Sequence, residues 1–184
     1  KELLPFPDNS VDTLICIAGI NYFSRQRGIE IITDVHRVLR PGGVARFATQ
    51  DLRKLATSYI EGDARFFNQT LPDGSIRFPG RTFADKFNNW ISGYRGIGDK
   101  HSKYIYDFES LRDAFEVAGF ELVEEKPRRE TRIANVERFE IDHPADQYLF
   151  LEAIKSPAFL SGLRVGKETD TDNVVASPDN QDAQ

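Results

Sequence analysis

The chain has 184 residues, 40% of them hydrophobic, and a formal net charge of −5 at neutral pH. This length supports one domain with a substantial core, whereas two full domains would be crowded. The acidic balance gives no general attraction to nucleic acids or to anionic membranes, so we predict neither as a partner. The sequence has no apolar run near the roughly 20 residues that span a bilayer and no signal-peptide pattern, which favours a cytoplasmic protein.

A strand, a helix and a second strand are predicted in succession between residues 11 and 50. The run VDTLICIAGI is continuously apolar, which is typical of a central parallel strand that is covered on both faces. Apolar residues at helical spacing then follow Ser24, a predicted N-cap: Ile29, Ile32, Val35 and Leu39. The segment Arg40-Pro41-Gly42-Gly43 should end this helix, and VARFATQ is predicted as the second strand of a βαβ unit.

Residues 51–103 depart from this alternation and are predicted to be an insertion that begins with a helix from Asp51 to Ile60. Further along, apolar side chains recur at helical intervals: Phe83, Phe87, Trp90, Ile91 and Tyr94. We consider two roles for this stripe, which either packs against the parent domain or forms a lid over a substrate.

The remainder of the chain is predicted to contain one helix, two strands and a tail. The helix begins at Asp107 and ends at Gly119, and the strands are FELVEEK and QYLFLEAIK. The connection between these strands is rich in basic residues, which either receive an anionic substrate group or are solvated: Lys126, Arg128, Arg129, Arg132 and Arg138. We assign residues 1–156 to the domain, and residues 157–184, which are polar and acidic, to a disordered tail.

Several of these segments together resemble the class I S-adenosylmethionine-dependent methyltransferases, and specifically the type-11 methyltransferase domain family. The matching motifs are LPF at residues 4–6, the acidic Asp12, and HRVLRPGG at residues 36–43. The later segments LRDAFEVAGF and YLFLEAIK follow in the same order. The resemblance implies an α/β fold with a Rossmann-like sheet, S-adenosyl-L-methionine as the cofactor, and methyl transfer to a small-molecule or saccharide acceptor.

In that family, the Gly-rich loop and the acidic residue that binds the ribose lie before the LPF motif. The sequence therefore predicts a fragment whose sheet holds only the later strands, without the Gly-rich cofactor motif. For the cofactor, the resemblance places Lys1 and Glu2 beside the adenine, and it places Ile17, Ala18 and Gly19 near the methionine portion.

Candidate catalytic residues follow from the rule that ligands of open α/β sheets gather outside the carboxyl ends of the strands. Tyr22 follows the first predicted strand, and Asp51 follows the second. The Asp51 carboxylate is more readily explained as the N-cap of the next helix, and the alternative is that it removes a proton from an acceptor hydroxyl. His101, which lies in the insertion, could act as a base near neutral pH or could simply be solvated.

Two further questions concern metals and a function without catalysis. The histidines show no metal-ligand spacing with the single Cys16, so no metal site is predicted. The competing functional hypothesis is a non-catalytic partner, or a degenerate methyltransferase-like interaction module. Such a module would associate with another chain through the edge of an incomplete sheet.

Overall fold

The computed structural model describes residues 4–71, 73–92, 102–136, 141 and 147–157. Within these ranges, four strands form one mixed sheet: β1 (Val11–Ile17), β2 (Leu39–Gln50), β3 (Leu122–Glu125) and β4 (Tyr148–Ile154). The helices are α1 (Arg25–Val38), α2 (Leu52–Glu61), α3 (Ala64–Phe67), α4 (Phe83–Ser92) and α5 (Phe108–Val117). No helix in these ranges is long and apolar enough to cross a membrane.

The strand order is β1-β2-β4-β3, in which β1 and β2 are parallel. Strand β4 runs antiparallel to both β2 and β3, so β1, β2 and β3 share one direction. Helix α1 connects the two parallel strands, as the βαβ prediction requires. The α/β fold class predicted from the sequence is therefore confirmed.

Strand β1 occupies an edge of the described sheet, where it pairs with β2. Most of its residues are half-buried rather than fully buried. The prediction of a central strand is therefore wrong for this sheet, although the apolar sequence of β1 does suit cover on both faces.

Helix α1 begins as predicted but ends earlier. The Ser24 side chain caps it by accepting a hydrogen bond of 3.3 Å from the backbone N of Arg27. The last helical residue is Val38, and the Pro-Gly-Gly segment belongs to β2 instead of to the helix terminus. Glycine is needed here because a Cβ on Gly43 would lie 2.9 Å from the carbonyl oxygen of Arg40 and 3.1 Å from that of Asp12 on the neighbouring strand.

One face of the sheet carries the main apolar core beneath α1 and α5. Phe47 on β2 meets Phe115 on α5 edge-on, with ring centroids 5.0 Å apart. Helix α5 is capped by Asp107 as predicted, and Gly119 follows it with a φ of 104° that favours glycine. The periodic apolar residues of both helices thus point at the same strands.

The opposite face of the sheet combines a small apolar cluster, formed by Ala48, Tyr148 and Phe150, with a buried ion pair. Arg46 on β2 and Glu152 on β4 form a fully buried ion pair of 2.9 Å. Glu152 also accepts a hydrogen bond of 3.0 Å from the backbone N of Arg132, while Arg46 donates one of 2.9 Å to the carbonyl oxygen of Glu130. The ion pair therefore fastens part of the basic connection to the sheet.

The insertion has a second, aromatic core of its own. Its fully or nearly buried members are Leu55, Phe67, Phe78 and Trp90. Three other members of the predicted stripe pack against them: Phe83, Phe87 and Ile91. The stripe thus contacts α2 and α3 inside the insertion more than the parent sheet, and its last member, Tyr94, lies outside the described residues.

The predicted tail also lies outside the described residues from residue 158 onward.

Candidate functional site

The carboxyl ends of β1, β2 and β3 meet at one edge of the sheet, which we call the carboxyl edge. The chain leaves β1 through Ala18, whose φ of 53° is a left-handed conformation that few residues other than glycine adopt. The backbone N of Ala18 still donates to the carbonyl oxygen of Ala48, at 2.8 Å. The exit from β1 is therefore fixed in a strained turn that redirects the chain across the edge.

Three of the predicted cofactor residues form this exit. Ile17 and Ala18 are half-buried and pack against the aromatic side chains of Tyr148 and Phe150. Gly19 is tightly enclosed, because a Cβ at this position would lie 3.0 Å from the Sγ of Cys16. The other two predicted cofactor residues, Lys1 and Glu2, lie outside the described residues.

A polar network crosses the carboxyl edge just beyond this exit. The Asn21 side-chain amide donates to the Oγ of Ser102 at 2.9 Å, and that hydroxyl donates to Oε1 of Gln50 at 2.9 Å. The backbone carbonyl oxygen of Asn21 accepts a hydrogen bond of 2.8 Å from the backbone N of Lys103. The network therefore ties the returning end of the insertion to both parallel strands.

Asp51 lies at the carboxyl end of β2 and is 6% exposed. Its Oδ1 accepts a hydrogen bond of 2.9 Å from the backbone N of Arg53, which makes Asp51 the N-cap of α2. Its own backbone N donates to the carbonyl oxygen of Gln147 at 3.0 Å. In the described part of the chain, Oδ2 accepts no hydrogen bond, so capping leaves one carboxylate oxygen for another partner.

Tyr22 lies at the same edge with its side chain partly exposed. It lies near Tyr148, and burial raises the pKa of the Tyr148 phenol. Arg77, which hydrogen-bonds this phenol, opposes the rise, whereas Tyr22 adds to it. Tyr22 and Asp51 thus both border the carboxyl edge, whereas His101, the remaining predicted catalytic residue, lies outside the described residues.

Several buried polar atoms near this edge have no hydrogen-bond partner within the described ranges. They include Oδ1 of Asn21 and both amide atoms of Gln147, the residue that pairs with Asp51. Leaving such an atom unpaired costs about 1–3 kcal/mol, so native proteins seldom do so without a compensating partner. The carboxyl edge therefore buries polar side chains whose hydrogen-bonding capacity the described residues do not fill.

Two cavities open along the carboxyl edge. The larger one, about 450 Å³, lies between Lys54 on α2, the first residues of β4 and the segment from Glu125 to Arg128. The smaller one, about 250 Å³, is lined by Asp51, Arg53, Phe108, Glu109 and Glu125. Because Glu125 lines both, the two cavities adjoin, and the edge offers a basic compartment beside an acidic one.

The sequence pointed to this edge but not to all of its residues. Asp51, Tyr22 and the β1 exit were predicted and do lie along it. Ser102, Lys54 and Gln147 were missed, because each is brought there by contacts between residues that are distant in the chain. The basic residues after β3, for which the sequence left an anion-receiving role open, include two that line the larger cavity, Lys126 and Arg128.

Comparison with known proteins gives a family match for the first quarter of the chain. Residues 1–47 match the model of a methyltransferase domain family. This segment contains β1, α1 and the beginning of β2. No curated protein matches the chain in sequence.

Among solved structures, one similar to this chain is a protein from Nostoc punctiforme described as an O-methyltransferase. The two share 13% sequence identity and a TM-score of 0.46, and the alignment covers 80% of this chain and 33% of the Nostoc chain. A protein from Thermotoga maritima described as S-adenosylmethionine-dependent has 16% identity and a TM-score of 0.46, over 83% of this chain and 60% of that one. The chain thus spans between one third and three fifths of the length of these structures. The match over residues 1–47 confirms, for the segment that holds the LPF and HRVLRPGG motifs, the resemblance to a methyltransferase domain family.

Proposed function

We propose that this protein takes part in S-adenosylmethionine-dependent methyl transfer to a small-molecule or saccharide acceptor, with the carboxyl edge as part of its active site. One observation carries this proposal: the segment that matches the methyltransferase family opens, at Ile17–Gly19, onto the edge that holds Asp51 and Tyr22. Ligands of open α/β sheets bind at this kind of edge.

The residues at the β1 exit fit one side of the cofactor. Ile17 and Ala18 offer a half-buried apolar surface, which suits the aliphatic chain of the methionine portion. We propose that Ile17, Ala18 and Gly19 contact this portion, with Lys1 and Glu2 beside the adenine, and that the remaining contacts come from elsewhere in the whole protein.

When bound, the cofactor supplies an electrophilic methyl group. The task of this chain is then to hold the acceptor in line and to remove the proton of its hydroxyl. Oδ2 of Asp51, which accepts no hydrogen bond from the described residues, can accept that proton, since the hydrogen bond that Oδ1 accepts from the backbone N of Arg53 fixes the orientation of the carboxylate. Tyr22, which is partly exposed at the same edge, can hydrogen-bond and orient the acceptor.

The proposal is tested by titrating the full-length natural protein with S-adenosylmethionine and S-adenosylhomocysteine in a calorimeter. We expect both to bind, because they share the adenosine and amino-acid portions. Binding of neither would remove methyl transfer from consideration.

A second candidate function is association with another chain, which the described edge strand favours. Strand β1 is half-buried and pairs on one side with β2, so its other edge resembles a template for a further strand. Under this alternative, affinity capture of the full-length protein would recover a stoichiometric partner while methyl transfer is absent. Methyl transfer without any stable partner would exclude the module.

A further inference from the structure

We propose that the larger cavity of the carboxyl edge is a subsite for an anionic group, a carboxylate or a phosphate, carried by the acceptor. The inference rests on the proposed function, because it names the acceptor class of that same site. It concerns Lys54, Lys126 and Arg128, which line the 450 Å³ cavity from two different elements.

The cavity is basic in a chain that is acidic as a whole. Lys126 contacts Glu124 at 2.5 Å, and Arg132 contacts the same carboxylate at 2.7 Å. The hydrogen bonds from Lys126 and then Arg132 lower the pKa of Glu124, so it stays ionised and is shared by two cations. The cluster has four basic residues and two acidic ones, which gives it a formal charge of +2: Lys54, Lys126, Arg128, Arg132, Glu124 and Glu125.

Two of the basic residues, Lys54 and Lys126, are tied to β4 by hydrogen bonds, whereas Arg128 is exposed. Lys54 donates from its Nζ to the carbonyl oxygen of Tyr148 at 2.5 Å, and the backbone N of Lys126 donates to the carbonyl oxygen of Phe150 at 2.9 Å. The buried carboxylate of Glu152 accepts a hydrogen bond from the backbone N of Arg132 and so fixes the position of Arg132. A cluster fixed in this way loses less side-chain entropy on binding an anion than a solvated loop does.

The neighbouring cavity explains why an anion here would suit methyl transfer. Asp51 lines the smaller cavity, which adjoins the basic one at Glu125. An acceptor that places its anionic group among Lys54, Lys126 and Arg128 would extend its remaining part toward Asp51. The charge separation between the two cavities would thus fix the direction in which the acceptor lies.

The test uses three sugars of similar shape and different charge: glucose, glucuronate and glucose 6-phosphate. Each is titrated into the full-length protein without cofactor, and binding is followed by nuclear magnetic resonance at the backbone amides of Lys126, Arg128 and Leu149. We expect saturable shifts with glucuronate, glucose 6-phosphate or both, and none with glucose. The stronger of the two anions identifies the group as a carboxylate or a phosphate.

Two variants and a matched control assign the binding to the cavity. Arg128→Gln and Lys54→Gln should each weaken anion binding about tenfold, the usual value of one charge-assisted hydrogen bond. Arg65→Gln removes the same charge from an exposed residue of α3 that does not line the cavity, and it should leave binding unchanged. Equal binding of glucose, no saturable binding, or equal losses in all three variants would overturn the subsite.

This test is independent of the cofactor. Anion binding that fails while S-adenosylmethionine still binds would overturn the subsite and leave the proposed function standing. Anion binding at the cavity in a protein that binds no S-adenosylmethionine would remove the methyltransferase assignment instead.

Discussion

The two faces of the sheet are held by different interactions. On one face, Phe47 packs against Phe115 in an apolar core that α1 and α5 cover. On the other, beside a small apolar cluster of Ala48, Tyr148 and Phe150, Arg46 and Glu152 form a buried ion pair that fastens the connection after β3. The apolar face stabilises the fold, whereas the charged face positions a segment that borders the candidate site.

The largest effect is expected on the apolar face. Phe115→Ala should lower the free energy of unfolding by about 4 kcal/mol, because it removes a fully buried ring and leaves a cavity. Urea denaturation followed by circular dichroism measures this loss. Val117→Ala on the same helix is the control, since Val117 is 64% exposed and should cost at most about 0.5 kcal/mol. Equal losses would contradict the assignment of this face as the core.

On the charged face, Arg46→Met should cost about 3 kcal/mol, because it leaves the carboxylate of Glu152 buried without its cation. The double variant Arg46→Met/Glu152→Leu should lose less than the single one, since it removes both charges together. The same denaturation experiment measures both. Additive losses in the double variant would show that the two residues do not act as a pair.

Asp51 offers a smaller test, which separates its two roles. Asp51→Ala should cost about 1 kcal/mol through loss of the N-cap of α2, whereas Asp51→Asn should keep the stability, because asparagine caps equally well. If Asp51 is also the base, methyl transfer by the full-length Asp51→Asn variant should fall about 100-fold. Unchanged turnover with Asn would restrict Asp51 to capping.

The smallest expected effect is a pH dependence at His36, which packs edge-on against Phe120 on the apolar face. Burial, followed by the charge of Lys155, lowers the pKa of this histidine below its ordinary value of 6.5. The unfolded chain therefore takes up the proton first as the pH falls. The contribution of neutral His36 is complete above about pH 6.5 and is lost as the pH falls through its lowered folded pKa. His36→Gln should flatten this part of the stability profile, and an unchanged profile would contradict the assignment.

The same contrast shows what the sequence could predict. The helices α1 and α5 were predicted from apolar spacing and from caps at Ser24 and Asp107, because these signals lie within one helix. The Arg46–Glu152 pair was not predicted, since its members are 106 positions apart and neither has a local pattern. For the same reason the polar network of Asn21, Ser102 and Gln50 was not predicted.

Two errors in the predicted elements have one physical cause. The apolar sequence of β1 indicates what a strand can bury, but it does not indicate where the strand lies in the sheet. Likewise, Pro41, Gly42 and Gly43 indicate that a helix stops, but they do not show that the next strand already begins at Leu39. Both features depend on pairing between β1 and β2, which no local pattern encodes.

The central claim is that the exit from β1 contacts the amino-acid portion of the cofactor. The most direct measurement is nuclear magnetic resonance of the full-length protein with S-adenosylhomocysteine that is isotopically labelled in its homocysteine carbons. We predict nuclear Overhauser effects between these carbons' protons and the methyl groups of Ile17 and Ala18. Bound S-adenosylhomocysteine whose homocysteine protons contact neither residue would contradict the account.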